Sequence, residues 1–206
     1  LISNTVSSHN VTGIYSGYTT SNTIYNNMIW DLRNPGGTSA PQIYGIWVVN
    51  GTANLYYNTV FLNATGTSNG FTTTALAVTG GTSTRSNNNI YMNISTPGNS
   101  GLTTTLWKNA DGFDNINPAS DNNIWYAGTP SPRNLICRTP SVYYEDIDAY
   151  KAGTVSFDQN SLTEEVPFSD VVGPDYDIHI LAGSATLAES NALPIDGIST
   201  DIDADP

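Results

Sequence analysis

The sequence predicts an all-β fold, a right-handed parallel β-helix solenoid of about five coils with a small acidic C-terminal capping region. Two interleaved patterns support this prediction. In one, an Asn is followed two residues later by an aliphatic residue, and the pair returns about every thirty residues. In the other, a single aliphatic residue returns with nearly the same period. A repeat of this length is typical of solenoids, whose units bury their apolar sides against their neighbours.

We expect each series to form one stack inside the solenoid. The first series has Asn at positions 4, 27, 58, 88 and 122, and its aliphatic members are Val6, Ile29, Val60, Ile90 and Ile124. The second series consists of Ile14, Ile46, Leu76, Leu106 and Ile136. A β-propeller is the alternative at this period, but a blade usually needs about 40 residues and four antiparallel strands.

Residues 44–73 illustrate one coil. Strands are predicted at 44–49, 54–57 and 59–62, and Asn50-Gly51 is a turn signal between the first two. Asn58 is expected at the second corner, because Asn tolerates the left-handed backbone region. Stacked coils would place such amides above one another, so that each bonds to the next as a ladder.

The predicted organisation is residues 1–138 as coils and residues 139–206 as an acidic capping or linker region with one short helix. The helix is expected at 141–153, with Val142, Ile147 and Tyr150 on one face and Gly153 as its C-terminal stop. Such a cap would cover the unpaired strands of the last coil.

Charge is unevenly distributed. The chain has net charge -12, and seventeen of its eighteen acidic residues follow position 110. Because phosphate contacts need clustered Lys and Arg, we expect no nucleic-acid partner. No apolar run approaches the ~18 residues of a membrane span, so we expect no membrane insertion.

The single cysteine, Cys137, lies in a strand-like run and is expected to pack as a small apolar residue. No secretory leader pattern is visible, and the chain opens inside a repeat. We therefore expect the sequence to be part of a longer protein.

The segments NLYYNTVFLN, SNNNIYMN and SDNNIWYA resemble right-handed parallel β-helix proteins of the pectate-lyase-like group. Together with DYDIHILAGSATLAES and the terminal TDIDADP, they resemble repeat modules of secreted Bacteroidota-type cell-surface proteins. In such modules the last segment usually reads TDIDGDPR, whereas Ala204 replaces the Gly here. The resemblance implies a secreted, cell-surface location.

Aromatic residues follow the aliphatic positions of both series. If the aliphatic residue faces inward, strand alternation turns the next residue outward. Outward rings could stack on sugars, which gives a candidate ligand-binding set: Tyr15, Trp30, Trp47, Trp107 and Trp125. The alternative is that these rings pack on one another or lie beneath loops. The assignment rests on strand parity, which a one-residue slip would reverse.

Catalytic and metal-binding signals are sparse. Lys108, Asp111 and Asp114 are close in sequence and form a lyase-like candidate, with a solvated loop as the alternative. The alternating carboxylates of Asp201, Asp203 and Asp205 are a candidate Ca²⁺ site, with a solvated acidic face as the alternative. No other cofactor is expected.

These observations predict a structural or adhesive module of a secreted cell-surface or extracellular filament protein. The expected partners are glycans or neighbouring modules of the same protein. A fragment of a polysaccharide lyase or other carbohydrate-active enzyme is the alternative. Catalysis is left open, although a non-enzymatic role is favoured because residues 1–110 contain a single acid, Asp31.

Overall fold

The computed structural model describes residues 9–17, 20–35, 42–173, 175–189, 191–200 and 202–203. They form a parallel β-solenoid of about four turns. The right-handed sense and the count of five coils stay predictions. Asn4 and Val6, the first members of the first series, lie outside the described residues.

Each of the first three turns contributes one strand to each of three parallel sheets. The first turn contains β1 (Val11–Ser16), β2 (Ser21–Tyr25) and β3 (Met28–Ile29), and the second contains β4 (Gln42–Val48), β5 (Thr52–Tyr56) and β6 (Thr59–Leu62). The third contains β7 (Thr72–Val78), β8 (Ser83–Asn87) and β9 (Ile90–Asn93). The fourth contains β10 (Thr103–Lys108) and β11 (Ile124–Tyr126), with isolated parallel bridges at Ile116 and Asp121 between them.

The chain then completes the first sheet and covers the solenoid. β12 (Asn134–Arg138) pairs parallel to β10, and β13 (Tyr143–Tyr144) pairs antiparallel to β12. The helix α1 (Ile147–Thr154) follows, and then the hairpin of β14 (Phe168–Asp170) and β15 (Asp177–Ile180).

A ladder of asparagines, buried except for the half-buried Asn27, runs through the corner between the second and third sheets. Asn27 Nδ2 donates to Asn58 Oδ1 at 2.9 Å, Asn58 Nδ2 donates to Asn89 Oδ1 at 2.9 Å, and Asn89 Nδ2 donates to Asn123 Oδ1 at 3.1 Å. Each of these oxygens also accepts the main-chain N–H of the Asn one turn earlier. The expected ladder is therefore present, and it fixes the stacking of successive coils.

Each corner consists of two residues. The second residue belongs to the asparagine ladder, and the first residue has left-handed backbone geometry. At these corners the residues with positive φ are Asn26, Tyr57, Asn88 and Asn122, so the left-handed residue expected at Asn58 is Tyr57. The sequence expectation used Asn88 and Asn122 as ladder positions, which is wrong by one residue. Both belong to Asn-Asn pairs, so the pattern alone could not separate corner from ladder.

The one-residue difference between the expected and the observed ladder positions also changes the first interior stack. Val60 pairs with Tyr91, and Tyr91 pairs with Trp125, so the inner column contains Ile29, Val60, Tyr91 and Trp125. The expected members Ile90 and Ile124 instead face the outer side of the third sheet, because a shift of one residue moves a side chain to the opposite face.

The second series is correct through four turns. Ile14, Ile46, Leu76 and Leu106 pair in register, but the partner of Leu106 is Cys137 and not Ile136. Ile136 is nevertheless buried in the same core. Cys137 is a free, fully buried thiol, as expected, and burial raises its pKa.

The helix is shorter than expected and begins later. Asp146 caps its N-terminus by accepting from the Ala149 N–H at 2.8 Å. Gly153 is not the C-terminal stop, because α1 continues to Thr154 and Val155 takes the left-handed position. A Cβ on Gly153 would lie 2.6 Å from the Tyr144 ring, so the glycine lets this ring approach the helix closely. Val142 precedes the helix and is exposed.

The C-terminal residues cover two surfaces of the solenoid. Tyr150 of α1 is fully buried against Trp125, with ring centres 6.2 Å apart. The β14–β15 hairpin covers the outer side of the third sheet, where Phe168 packs edge-on against Phe61 at 5.5 Å. Both contacts protect apolar surface that the coils alone would leave in water.

We predict that Asn89→Ala lowers the free energy of unfolding by about 3 kcal/mol, because two buried Asn58 donors lose their acceptor. Urea denaturation measures this change. Asn99→Ala, on an exposed loop with one long side-chain contact, is the control and should change stability by less than about 0.5 kcal/mol. Equal effects of the two substitutions would contradict the ladder's role.

Candidate functional site: the outer aromatic face

The outer face of the first sheet carries a column of side chains along the solenoid axis. Strand register aligns Tyr15, Trp47, Ala77, Trp107 and Arg138, one from each successive strand. Tyr15 is 49% exposed and meets Trp47 edge-on, with ring centres 5.4 Å apart. Three of the five expected ligand-binding aromatics therefore lie in this column: Tyr15, Trp47 and Trp107.

Tyr44, which the sequence expectation omitted, completes the column. Its ring centre lies 4.7 Å from that of Trp47 and 5.8 Å from that of Trp107. Trp47 and Trp107 belong to strands separated by β7, and adjacent strands are about 4.8 Å apart. The Tyr44 ring therefore occupies the level of Ala77, whose small side chain leaves the space and is itself fully buried.

Tyr44 and Trp47 share one face because strict alternation fails between them. A Cβ on Gly45 would lie 2.3 Å from Val60 Cγ1, so Gly45 faces the interior. The next residue, Ile46, is also in the core. Two consecutive inward positions place residues three apart on the same outer face. An assumption of simple alternation could not have identified Tyr44.

The faces of the rings in this column are largely occupied by one another. Tyr44 lies between the two tryptophans, and the Arg138 guanidinium stacks 4.8 Å from the Trp107 ring centre. Trp47 Nε1 donates to Thr79 Oγ1 at 2.8 Å. Burial raises the pKa of Tyr44 to about 12, although the nearby Arg138 charge opposes that shift. The column is thus chiefly a packed element, with Tyr15 as its most accessible ring.

The other two expected aromatics lie elsewhere. Trp125 is 1% exposed and stacks on Tyr91 inside the solenoid, so its expected outward orientation is wrong. The one-residue slip in the first series explains this error. Trp30 is exposed but follows β3 on the third sheet, away from the aromatic column.

The lyase-like candidates Lys108 and Asp111 make separate hydrogen-bond contacts. Lys108 is 2% exposed and its Nζ donates to the Gly112 carbonyl at 2.6 Å. Burial lowers the pKa of this amine. Asp111 instead accepts hydrogen bonds from Ser141 and Thr139, which lower the pKa of its carboxyl. Within the described ranges, Lys108 forms no ion pair with Asp111 or Asp114.

A buried carboxylate, which the sequence expectation did not identify, ends the asparagine ladder. Asp158 accepts from Asn123 Nδ2 at 2.9 Å, from the Tyr150 hydroxyl at 2.7 Å and from the Ser161 hydroxyl. Burial raises the pKa of Asp158, while these three donors oppose that shift. No sequence signal marks this residue, because its partners are distant in the chain or spaced irregularly.

The candidate Ca²⁺ residues are only partly described. Asp203 Oδ2 lies 3.1 Å from His179 Nε2, whereas Asp201 and Asp205 lie outside the described residues. In the part of the chain that the structure covers, no three His, Cys, Asp or Glu side chains group closely enough to hold a metal ion. The proposed role of the three carboxylates stays a prediction.

Comparison with known proteins gives no match: no protein-family model fits the chain, and no similar curated protein or solved structure was found. Among the described residues, no helix has the length and apolar character needed to cross a membrane.

We predict that Tyr44→Ala lowers the free energy of unfolding by about 3 kcal/mol, because it leaves a gap between Trp47 and Trp107. Thermal denaturation followed by tryptophan fluorescence measures the loss. Tyr25→Ala removes a tyrosine that is 48% exposed on another sheet, and it should change stability by less than about 0.5 kcal/mol. Equal losses in both variants would show that Tyr44 has no special packing role.

Proposed function

We propose that this chain is a structural module of a secreted cell-surface or extracellular filament protein. The observation that supports this role best is the Asn27–Asn58–Asn89–Asn123 ladder, which joins successive turns along the axis and ends on the buried Asp158. A repeat stack held by such axial contacts is suited to act as an extended, regular scaffold.

The outer aromatic column supports the same role. Its rings contact one another across four strands and add a second set of axial contacts outside the backbone sheet. Rings whose faces pack against neighbouring rings offer little flat surface to a sugar. This favours structural packing over a broad carbohydrate platform.

The secreted location rests on the sequence resemblance to Bacteroidota-type surface modules. The separate resemblance of the coils to the pectate-lyase-like group favours a right-handed winding of the solenoid. The acidic C-terminal third is consistent with a soluble exterior, because net charge keeps protein surfaces from associating.

An adhesive, glycan-binding role is the second candidate, and the accessible Tyr15 ring favours it. Tyr15 is half exposed and meets Trp47 edge-on, so the exposed part of its ring can contact a sugar. The lyase alternative has less support, since the Lys108 amine that would act as a base is buried and bonded to Gly112.

We predict that incubation with pectin, alginate and related glycans, with and without Ca²⁺, releases neither unsaturated nor reducing ends. Turnover that disappears in Lys108→Met, which keeps the buried stem, would contradict the structural proposal and support a lyase. On a glycan array the structural role predicts no specific binding.

The glycan array also tests the adhesive role against the structural role. Tyr15→Ala is the test variant, and Tyr25→Ala is its matched control. If a glycan binds, the adhesive role predicts about a two- to tenfold loss of affinity in the first variant and none in the second. Equal affinity in both variants would exclude the Tyr15 surface as the binding site.

A further inference from the structure

The turn between β4 and β5 contains an asparagine followed by a glycine. Asn50 is exposed, and the Gly51 N–H donates to the side-chain oxygen Oδ1 of Asn50 at 2.9 Å. Gly51 has a φ of 74°, which residues with a Cβ rarely adopt. The turn therefore holds the Gly51 nitrogen beside the side-chain amide of the residue before it, in contact with water.

A main-chain nitrogen in this position is a nucleophile for the preceding amide carbon. Its attack on Asn50 Cγ closes a succinimide ring, and glycine presents no Cβ that would obstruct the approach. Reactions within one molecule are fast when the reacting groups are already held together. The hydrogen bond between Gly51 and Asn50 shows that the two groups are held together in this turn.

We propose that Asn50 is a site of spontaneous covalent modification, in which Gly51 converts it to an aspartyl or isoaspartyl residue. The Gly51 nitrogen gives its proton to water and forms a bond to Asn50 Cγ, while the Cγ–Nδ2 bond breaks and Nδ2 leaves as ammonia. Water then adds to one carbonyl carbon of the succinimide and breaks its bond to the ring nitrogen. Opening at Cγ gives the aspartyl product, and opening at the main-chain carbon gives the isoaspartyl product.

The chain contains a second Asn-Gly pair, Asn69-Gly70, whose geometry is different. The Gly70 N–H donates to Ser68 Oγ at 3.4 Å and not to the Asn69 side chain. Asn69 Oδ1 instead accepts from Asn99 Nδ2 at 3.3 Å. Both asparagines are exposed, so contact with water does not distinguish them. The direction of the following glycine nitrogen does, and it favours reaction at Asn50.

The buried asparagines of the ladder lack both conditions for this reaction. Asn58, Asn89 and Asn123 are inaccessible to water. The main-chain nitrogen after each of them donates at 2.8 Å to a carbonyl of the previous turn, in Thr59, Ile90 and Ile124. A nitrogen held in a strand bond is turned away from the side chain before it, so we expect the ladder to keep its amides.

Modification at Asn50 would change both the charge and the length of the turn. Residues 1–110 contain a single acid, Asp31, so the new carboxylate would be the second. The isoaspartyl product also places the asparagine Cβ in the main chain. The Gly51 carbonyl accepts from the Thr82 N–H at 2.8 Å and from Thr82 Oγ1 at 3.2 Å, so this change falls where the second and third turns meet.

Incubation of the full chain in a mildly alkaline buffer, folded and in urea, tests the proposal. Digestion and fragmentation mass spectrometry assign each deamidated residue, and chromatography separates the isoaspartyl peptides. The ratio of the Asn50 rate to the Asn69 rate should be at least about fivefold larger in the folded chain than in urea, because only the folded turn positions the nucleophile. An equal or smaller ratio in the folded chain would overturn the proposal, as would a folded chain in which Asn50 gives no product.

Two variants confirm which asparagine reacts. Asn50→Gln adds a methylene that makes ring closure much less favourable, so the fast product should disappear while Asn69 reacts at its wild-type rate. Asn69→Gln is the matched control, in the other Asn-Gly pair, and should leave the Asn50 rate unchanged. A fast product that persists in Asn50→Gln, or one that is lost in Asn69→Gln, would contradict the assignment to Asn50.

Discussion

The structure depends on one requirement: a buried asparagine side chain must find partners for both its amide and its carbonyl. At the corner between the second and third sheets, Asn58 and Asn89 each find them in the equivalent Asn residues of the two neighbouring turns. A turn shifted by one residue would leave donors and acceptors unpaired in the core, at about 1–3 kcal/mol each. The ladder thereby fixes the register, and the register determines which side chains face inward.

The outer surfaces follow from that register. It aligns the column of Tyr15, Trp47, Ala77 and Trp107, and the small Ala77 lets the Tyr44 ring join the two tryptophans. It also turns Phe61, Met92 and Ile124 outward on the third sheet, where the β14–β15 hairpin covers them. The ladder cannot continue indefinitely, and Asp158 ends it by accepting the last amide.

Period and composition were sufficient to predict the parallel solenoid, the presence of an asparagine ladder and the second interior stack as far as Leu106. They were insufficient where local patterns are degenerate. Asn88-Asn89 and Asn122-Asn123 each offer two residues for one ladder position, so Trp125 was expected outside although it is in the core. Tyr44 was missed because Gly45 and Ile46 both face inward. Asp158 and His179 act through partners that become neighbours only after the C-terminal residues fold onto the coils.

The most direct test of the ladder is a double-mutant cycle between Asn58 and Asn89, with Asn58→Ala, Asn89→Ala and the double variant compared by urea denaturation. Direct side-chain bonding predicts a coupling of about 1–3 kcal/mol, because the second substitution removes groups that the first has already left unpaired. Free energies of unfolding that add within about 0.5 kcal/mol would contradict the claim that these two amides hold adjacent turns in register.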